Sequence, residues 1–317
     1  MAGRGKGGCL TAVALVLSLM VVAVGAGLVL LVATNGAGPQ AIVEATDELE
    51  PRPFDEYTWE ELSRVSALIA EAPTDEEGRS VAADWNVGVG DARLLALDDG
   101  TTVEARVVGI RHDQRADGSG PAGITLMLSP ISLEPINSGD EDTGGWETSE
   151  LRAWLAGEGA ELLPDELAAV AVPVTKLTVN AVSVYGELAE DAAPTATTDT
   201  LWPFSVAEVC GPISWNADEY GAYTEYVDVT RYDALLSAEG SQYAYFAESG
   251  VTSDSDPSHV LGLSLRGASC AWWYRTAVPY TYRDSATRYF YQVMSSGFPS
   301  SLSEASVPAG VVVGVCI

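Results

Sequence analysis

No charged residue stands between Leu10 and Ala33, and Leu, Val and Ala dominate the run. As a helix rising ~1.5 Å per residue, these 24 residues would span ~36 Å, enough to cross the hydrocarbon core of a bilayer. Gly25 and Gly27 do not break such a reading, because glycine is common in membrane helices. A cleaved signal peptide is the rival, but its apolar core usually runs only about 7–15 residues, so the stretch reads as a retained anchor. Arg4 and Lys6 precede it, which keeps the N-terminus cytoplasmic and sends the C-terminal bulk across the membrane. Cys9 lies before the apolar run and is not placed like a lipoprotein acceptor. The expected organisation is a cytoplasmic tail (1–9), a transmembrane helix (10–33), a linker rich in Gly, Pro and acids (34–56) and an extracytoplasmic domain (57–317).

Charge narrows the partners of that domain. The chain carries 45 acidic residues and a formal net charge of −29, and every acid follows the apolar run. Such a field repels phosphate backbones and excludes nucleic acid as a partner. Only two lysines occur, Lys6 and Lys176; all other cations are arginines.

The domain reads as mixed α+β. Thr58-Trp59-Glu60-Glu61 is a capping box that opens a helix with Trp59, Leu62, Val65 and Ile69 on one face. Arg93–Leu97 and Thr101–Ile110 are strand-like runs joined by the Asp98-Asp99-Gly100 turn, and Ile124–Leu128 is a third strand. Residues 144–155 predict one amphipathic helix, with Leu151, Trp154 and Leu155 at i, i+3 and i+4. Leu163-Pro164 starts another helix, Val172–Val184 alternates as a strand, and Leu188–Thr200 reads as a loop. Leu201–Phe204 is a short strand that Pro203 assigns to an edge, and Ser205–Glu208 is a second capping box. Residues 211–269 read as long aromatic loops, followed by strands at Ala271–Thr276, Arg288–Met294 and Gly310–Ile317.

Catalytic signatures are missing from the sequence. His112 and His259 are the only histidines, no His-Glu-x-x-His occurs, and no Gly-x-Ser-x-Gly elbow is present. Cys210, Cys270 and Cys316 lie beyond the membrane without a Cys-x-x-Cys, so they read as buried small hydrophobes, with a Cys270–Cys316 bridge as the lesser alternative. Calcium is the one metal that the loops suggest, through Asp113 with Asp117, although short carboxylate runs in so acidic a chain are expected as solvated loops. Trp215, Tyr220, Tyr223 and Tyr243 are the candidate ligand-binding aromatics, since such rings stack on sugars or pack on protein partners, with lining of the core and loop bases by Tyr220–Tyr245 as the competing reading. Trp146, Trp154, Trp272 and Trp273 are assigned to the core, and Arg152 and Arg275 to buried carboxylates or carbonyls.

Several stretches together carry a resemblance. They are the Trp59 helix, Gly109–Asp113, Ala122–Thr125, Gly145-Trp146, Pro173–Lys176, Thr198–Trp202, Ser205–Val209, Trp272-Trp273-Tyr274-Arg275 and the closing Gly310–Ile317 strand. In order and spacing they resemble an uncharacterised domain family of bacterial exported and surface proteins, over roughly Tyr57 to Ile317. The Trp-Trp-x-Arg strand and the late Gly-Val strand are also similar to the formylglycine-generating-enzyme and C-type-lectin-like folds, which implies a lectin-like scaffold by analogy alone. Tyr274 and Thr276-Ala277 stand where Leu and Ser-Pro are usual, and Val312-Val313 where Arg-Pro or Ala-Pro is. The function expected from all this is a non-catalytic surface module for glycan or protein; an enzyme acting on envelope material and a structural spacer are the alternatives.

Overall fold

The computed structural model describes residues 20–23, 28–31, 49–140, 142, 144–180, 192–215, 217, 229–255, 257–278 and 288–317. It divides into two units, Met1–Glu50 and Pro51–Ile317.

In the first unit, Met20–Ala23 and Leu28–Leu31 pair as antiparallel strands. The rest of the expected transmembrane helix lies outside the described residues, and these two pieces are strand where helix was expected. Three of their eight residues are valine, whose branched Cβ favours extended backbone. Among the described residues no helix is long and apolar enough to cross a membrane.

The second unit opens with the turn Phe54–Glu56, in which Phe54 is buried. Besides a small hairpin of Ser264–Leu265 with Ala268–Ser269, its strands are, in chain order, β1 (Ala92–Ala96), β2 (Thr102–Ile110), β3 (Ile124–Leu128), β4 (Leu133–Glu134), β5 (Val174–Thr178), β6 (Thr195–Asp199), β7 (Leu201–Trp202), β8 (Trp272–Ala277), β9 (Tyr289–Val293), β10 (Ser301–Glu304), β11 (Ala309–Gly310) and β12 (Val313–Cys316). One five-stranded sheet runs β1-β2-β3-β12-β7, and a second runs β10-β9-β8-β11-β4. Pro203 follows β7 directly, and β7 is an edge strand as its proline requires. β5 and β6 form a separate two-stranded ribbon, tied to the first sheet through the Val172–Cys316 bridge. β6 occupies part of the stretch expected to be loop: Thr195–Asp199 is rich in threonine, a β-branched residue that suits a pleated surface.

Helix α1 (Trp59–Glu71), which α2 (Asp75–Asp84) follows, starts at the Thr58–Glu61 capping box, with both reciprocal bonds formed. Its buried stripe is Trp59, Leu62, Val65, Ser66 and Ile69. Ser66 lies on that inner face because the helix meets the sheet at Gly123, where a β-carbon would sit 2.0 Å from the Ser66 carbonyl oxygen. That contact lets Ser66 Oγ accept the Ile124 amide at 3.1 Å and donate to the Ile317 carbonyl.

The single helix expected over residues 144–155 is two pieces. Gly145–Thr148 forms a 3₁₀ turn, and Ser149 then takes extended backbone and caps α3 (Glu150–Leu155) by accepting the Arg152 amide at 3.2 Å. A serine that bonds the backbone competes with helix continuation and favours a cap. The long aromatic segment also differs from a loop reading. After α4 (Asp165–Ala168) and α5 (Val206–Cys210), it contains α6 (Val229–Ser237), α7 (Ala244–Glu248) and α8 (Ser258–Leu261). Phe246, Leu235, Leu236, Val260 and Leu261 anchor these helices on Val108 and Met127 of the first sheet and Trp272, Tyr274 and Val293 of the second. The core therefore holds side chains from both sheets and the helices.

Candidate functional site

β5 delivers the most unusual group in the fold. Its inward residues are Val174, Lys176 and Thr178, while Leu177 faces out with 41% of its surface exposed. Register has a period of two, so burying Lys176 exposes a leucine. This inverts the ordinary preference of both side chains.

Lys176 Nζ sits 2.7 Å from Asp113 Oδ1 and also contacts Glu208 Oε1. The side chains of Lys176 and Asp113 are only 4% and 3% exposed. Glu208 belongs to the Ser205 capping box and accepts the Ser205 amide at 2.9 Å. Its two oxygens are gripped by the Arg275 guanidinium. Arg275 spends its remaining donors on Thr178 Oγ1 at 2.9 Å and the Pro203 and Leu177 carbonyls at 3.0 and 3.1 Å. Tyr243 closes the other end: its hydroxyl donates to Asp113 Oδ2 at 2.9 Å, and its ring stacks on His112 with centroids 3.8 Å apart. Thr125 Oγ1 donates to the same Asp113 oxygen at 2.7 Å, and the Cys316 thiol lies 3.3 Å from Thr125 Oγ1.

Charge within this cluster is balanced by contact. Burial alone would raise the Asp113 carboxyl, but the Lys176 ammonium, His112 and the hydrogen bonds from Lys176 and Thr125 together outweigh it and hold the group at about 2. Burial likewise works against ionised Glu208, and Arg275 and Lys176 together bring its pKa below the ordinary glutamate value. Burial also opposes the Lys176 charge, which Asp113 and Glu208 more than restore. Glu239 is different. Burial pushes its carboxyl up to about 7, with Arg275 and the Thr276 hydroxyl only partly opposing that rise. One of its oxygens accepts the Val179 amide at 2.9 Å and the other meets the Thr276 hydroxyl. Burial also raises the Cys316 thiol well above its usual range, and raises Cys210 to about 12 and Cys270 above its ordinary value. All three thiols are free, so no Cys270–Cys316 bridge forms.

A cleft of about 460 Å³ opens at the surface beside α3. Its apolar lining has small side chains, Ala153, Ala156, Ala160, Ala168 and Ala171, with Leu155, Leu163 and Leu201. Its polar lining is Glu147, Thr148, Ser149, Arg152, Thr198, Asp199 and Thr200, of which Ser149 and Asp199 are buried. Arg152 Nε bonds the buried Asp199 carboxylate at 2.7 Å, and Arg152 Nη2 bonds the Thr198 carbonyl at 3.2 Å. Trp146 Nε1 donates to the second Asp199 oxygen at 3.2 Å. The guanidinium is thereby fixed to the scaffold while 29% of the side chain still faces solvent.

The residues singled out from sequence are distributed differently from the expectation. Tyr243, expected at a ligand surface, is fully buried because its hydroxyl completes the Asp113 shell. Trp215 is half-buried; its Nε1 donates to the Ser253 carbonyl at 3.1 Å and its ring lies 5.2 Å from Tyr291. Tyr220 and Tyr223 lie outside the described residues. Asp113 and Asp117 are not joined in a cation site. Asp113 is committed to Lys176, and Asp117 is exposed and accepts the Ser119 amide at 2.9 Å. Among the described residues no three His, Cys, Asp or Glu side chains gather as metal ligands. Trp146, Trp272 and Trp273 are fully buried. Trp154 is half-buried instead of core, its ring lying over Gly159. Lys176, Glu208, Glu239, Thr125 and Cys316 form the centre of the cluster without having been selected as site residues. Lys176, one of only two lysines in the chain, was the one sequence signal for them.

Residues 122–311 match the family model described as a domain of unknown function, DUF6273. No curated protein and no solved structure matches the chain.

Proposed function

This chain belongs to the DUF6273 family, a domain of unknown function, and from that premise we propose a non-catalytic, membrane-anchored surface module of a bacterium that binds a protein segment in the α3 cleft. The observation that carries the reading is the cleft itself, whose lining combines alanines and leucines with hydroxyls and a fixed guanidinium. Such a lining fits small apolar side chains of an extended segment. Among the described residues no aromatic ring lines it, so it suits a peptide better than a sugar, which would use an aromatic platform for stacking. The acidic balance of the chain favours a basic segment by long-range attraction. The ionisable groups that could do chemistry are instead spent on one another inside the fold.

Anchoring rests on the uncharged run Leu10–Ala33 and the two cations before it. The lectin-like or formylglycine-generating-enzyme-like scaffold rests on two motif strands being neighbours, with Trp272 of β8 registered against Gly310 of β11. Peptide arrays of graded charge and apolarity, read with the wild-type chain and with Ala156→Trp, test the binding role. Selective capture of basic, apolar peptides that weakens with salt and disappears in the variant supports it. Equal capture by both proteins, or selective binding to a glycan array, sinks it. Protease accessibility of the C-terminal domain on intact cells tests the topology separately.

A further inference from the structure

The geometry points to a covalent cross-link in the core: an amide joining Lys176 Nζ to the side-chain carbonyl carbon of Asp113, formed by the folded chain itself. Three independent features carry it. The nucleophile is a lysine in a chain that otherwise uses arginine almost throughout, and arginine already fills the neighbouring pairing role at position 275. An amine that loses its proton can attack a carboxyl carbon, whereas a guanidinium stays charged. Second, both reacting side chains are sealed from water, and the amine and carboxylate oxygen are already 2.7 Å apart. Third, the accessory groups of acyl transfer surround the pair. Thr125 and Tyr243 hydroxyls both point at Asp113 Oδ2, at 2.7 and 2.9 Å, where the negative charge of a tetrahedral intermediate would develop. Glu208 touches the same Nζ from its other side.

The step balances from the ion pair. A proton crosses the 2.7 Å contact from the Lys176 ammonium to Asp113 Oδ1, and the freed nitrogen pair forms a bond to Asp113 Cγ. Oδ2 carries the transient charge against Thr125 and Tyr243. The nitrogen gives its second proton to Glu208, which passes it to Oδ1; the C–Oδ1 bond breaks and Oδ1 leaves as one water. One ammonium and one carboxylate become one neutral amide plus water, and Glu208 ends ionised on Arg275. No oxidant or cofactor enters. The product removes two buried charges that otherwise need each other's company, which favours the amide in a site that water does not reach.

Mass spectrometry of the full-length chain tests this after denaturation and trypsin digestion. Trypsin should fail after Lys176 and yield His112–Arg115 joined to residues 153–231, lighter than the two separate peptides by one water. Lys176→Arg should abolish the joined species, and Tyr243→Phe should slow its appearance by ~10²-fold, the loss typical of one oxyanion donor. Recovery of free His112–Arg115 together with cleavage after Lys176, from wild-type chain kept folded for days, overturns the proposal whether or not the variants fold.

Discussion

Replacing Glu239 by Gln should stabilise the protein, and only above mildly acidic pH. The Glu239 carboxyl is buried, with a folded-state pKa of about 7 against an ordinary value of 4.5. The folded state therefore binds its proton more tightly than the unfolded state does. Stability from this group is complete below the unfolded value, falls as pH rises from about 4.5 to about 7, and stays low above that. At about 1.4 kcal/mol per unit, the 2.5-unit gap amounts to ~3 kcal/mol lost by pH 8. Glutamine mimics the protonated acid. Its oxygen accepts the Val179 amide and its nitrogen can donate to Thr276 Oγ1, replacing both contacts of the carboxyl. Urea unfolding of both proteins at pH 5, 7 and 8.5 reads the effect. The two curves should differ by under ~1 kcal/mol at pH 5, and the variant should lead by ~3 kcal/mol at pH 8.5. Burial lowers the His112 pKa in both proteins alike, so its contribution cancels in the difference. A variant equal to or weaker than its parent at pH 8.5, or a pH slope shared by both, would show that the carboxylate is accommodated ionised and refute the reasoning.

Other perturbations separate the structural roles of neighbouring residues. Gly123→Ala puts a methyl 2.0 Å from the Ser66 carbonyl, so α1 must lift; a loss of ~1–3 kcal/mol and a lower thermal midpoint are expected in calorimetry. Trp146→Phe removes the donor to buried Asp199 and should cost ~1.5–3 kcal/mol in urea unfolding, while Trp154→Phe, at a half-buried ring, should cost well under half as much. Arg152→Ala strands the Asp199 carboxylate with only Trp146 and Thr197, a loss of ~1–3 kcal/mol given the partial exposure of the arginine. Adding Asp199→Asn to Arg152→Ala should recover part of that loss, and a double-mutant cycle measures the coupling.

Local chemistry was legible where it acts over a few residues. Both capping boxes, the Asp98–Gly100 turn, the strands around it and the Pro203 edge all follow from side chains that bond or clash within three or four positions. Residues 144–155 were harder, because the apolar spacing fits one helix while Ser149 spends its hydroxyl on a cap and splits it. The helices at Val229–Ser237 and Ala244–Glu248 are short segments whose aromatics find partners far along the chain, so their periodicity was weak as a local signal.

The charged cluster was illegible for a different physical reason. Asp113 and Lys176 are 63 residues apart, and Glu208 and Arg275 are 67 apart. Each alone reads as a solvated charge, and an Asp beside a His on an acidic loop reads as a weak cation ligand. What makes them a unit is the register of β5, which sends Lys176 in and Leu177 out. A hydrophobic-pattern argument chooses the opposite face, since it weighs Leu177 above a lysine. The preference reverses only when two carboxylates, one of them the capping glutamate, and a tyrosine hydroxyl wait inside, so that burial of the ammonium is met by contacts no surface could offer. A lysine held inward at the expense of an exposed leucine is thus evidence that the interior needs its amine, and the fold spends two elements, α5 and β8, on supplying the groups around it.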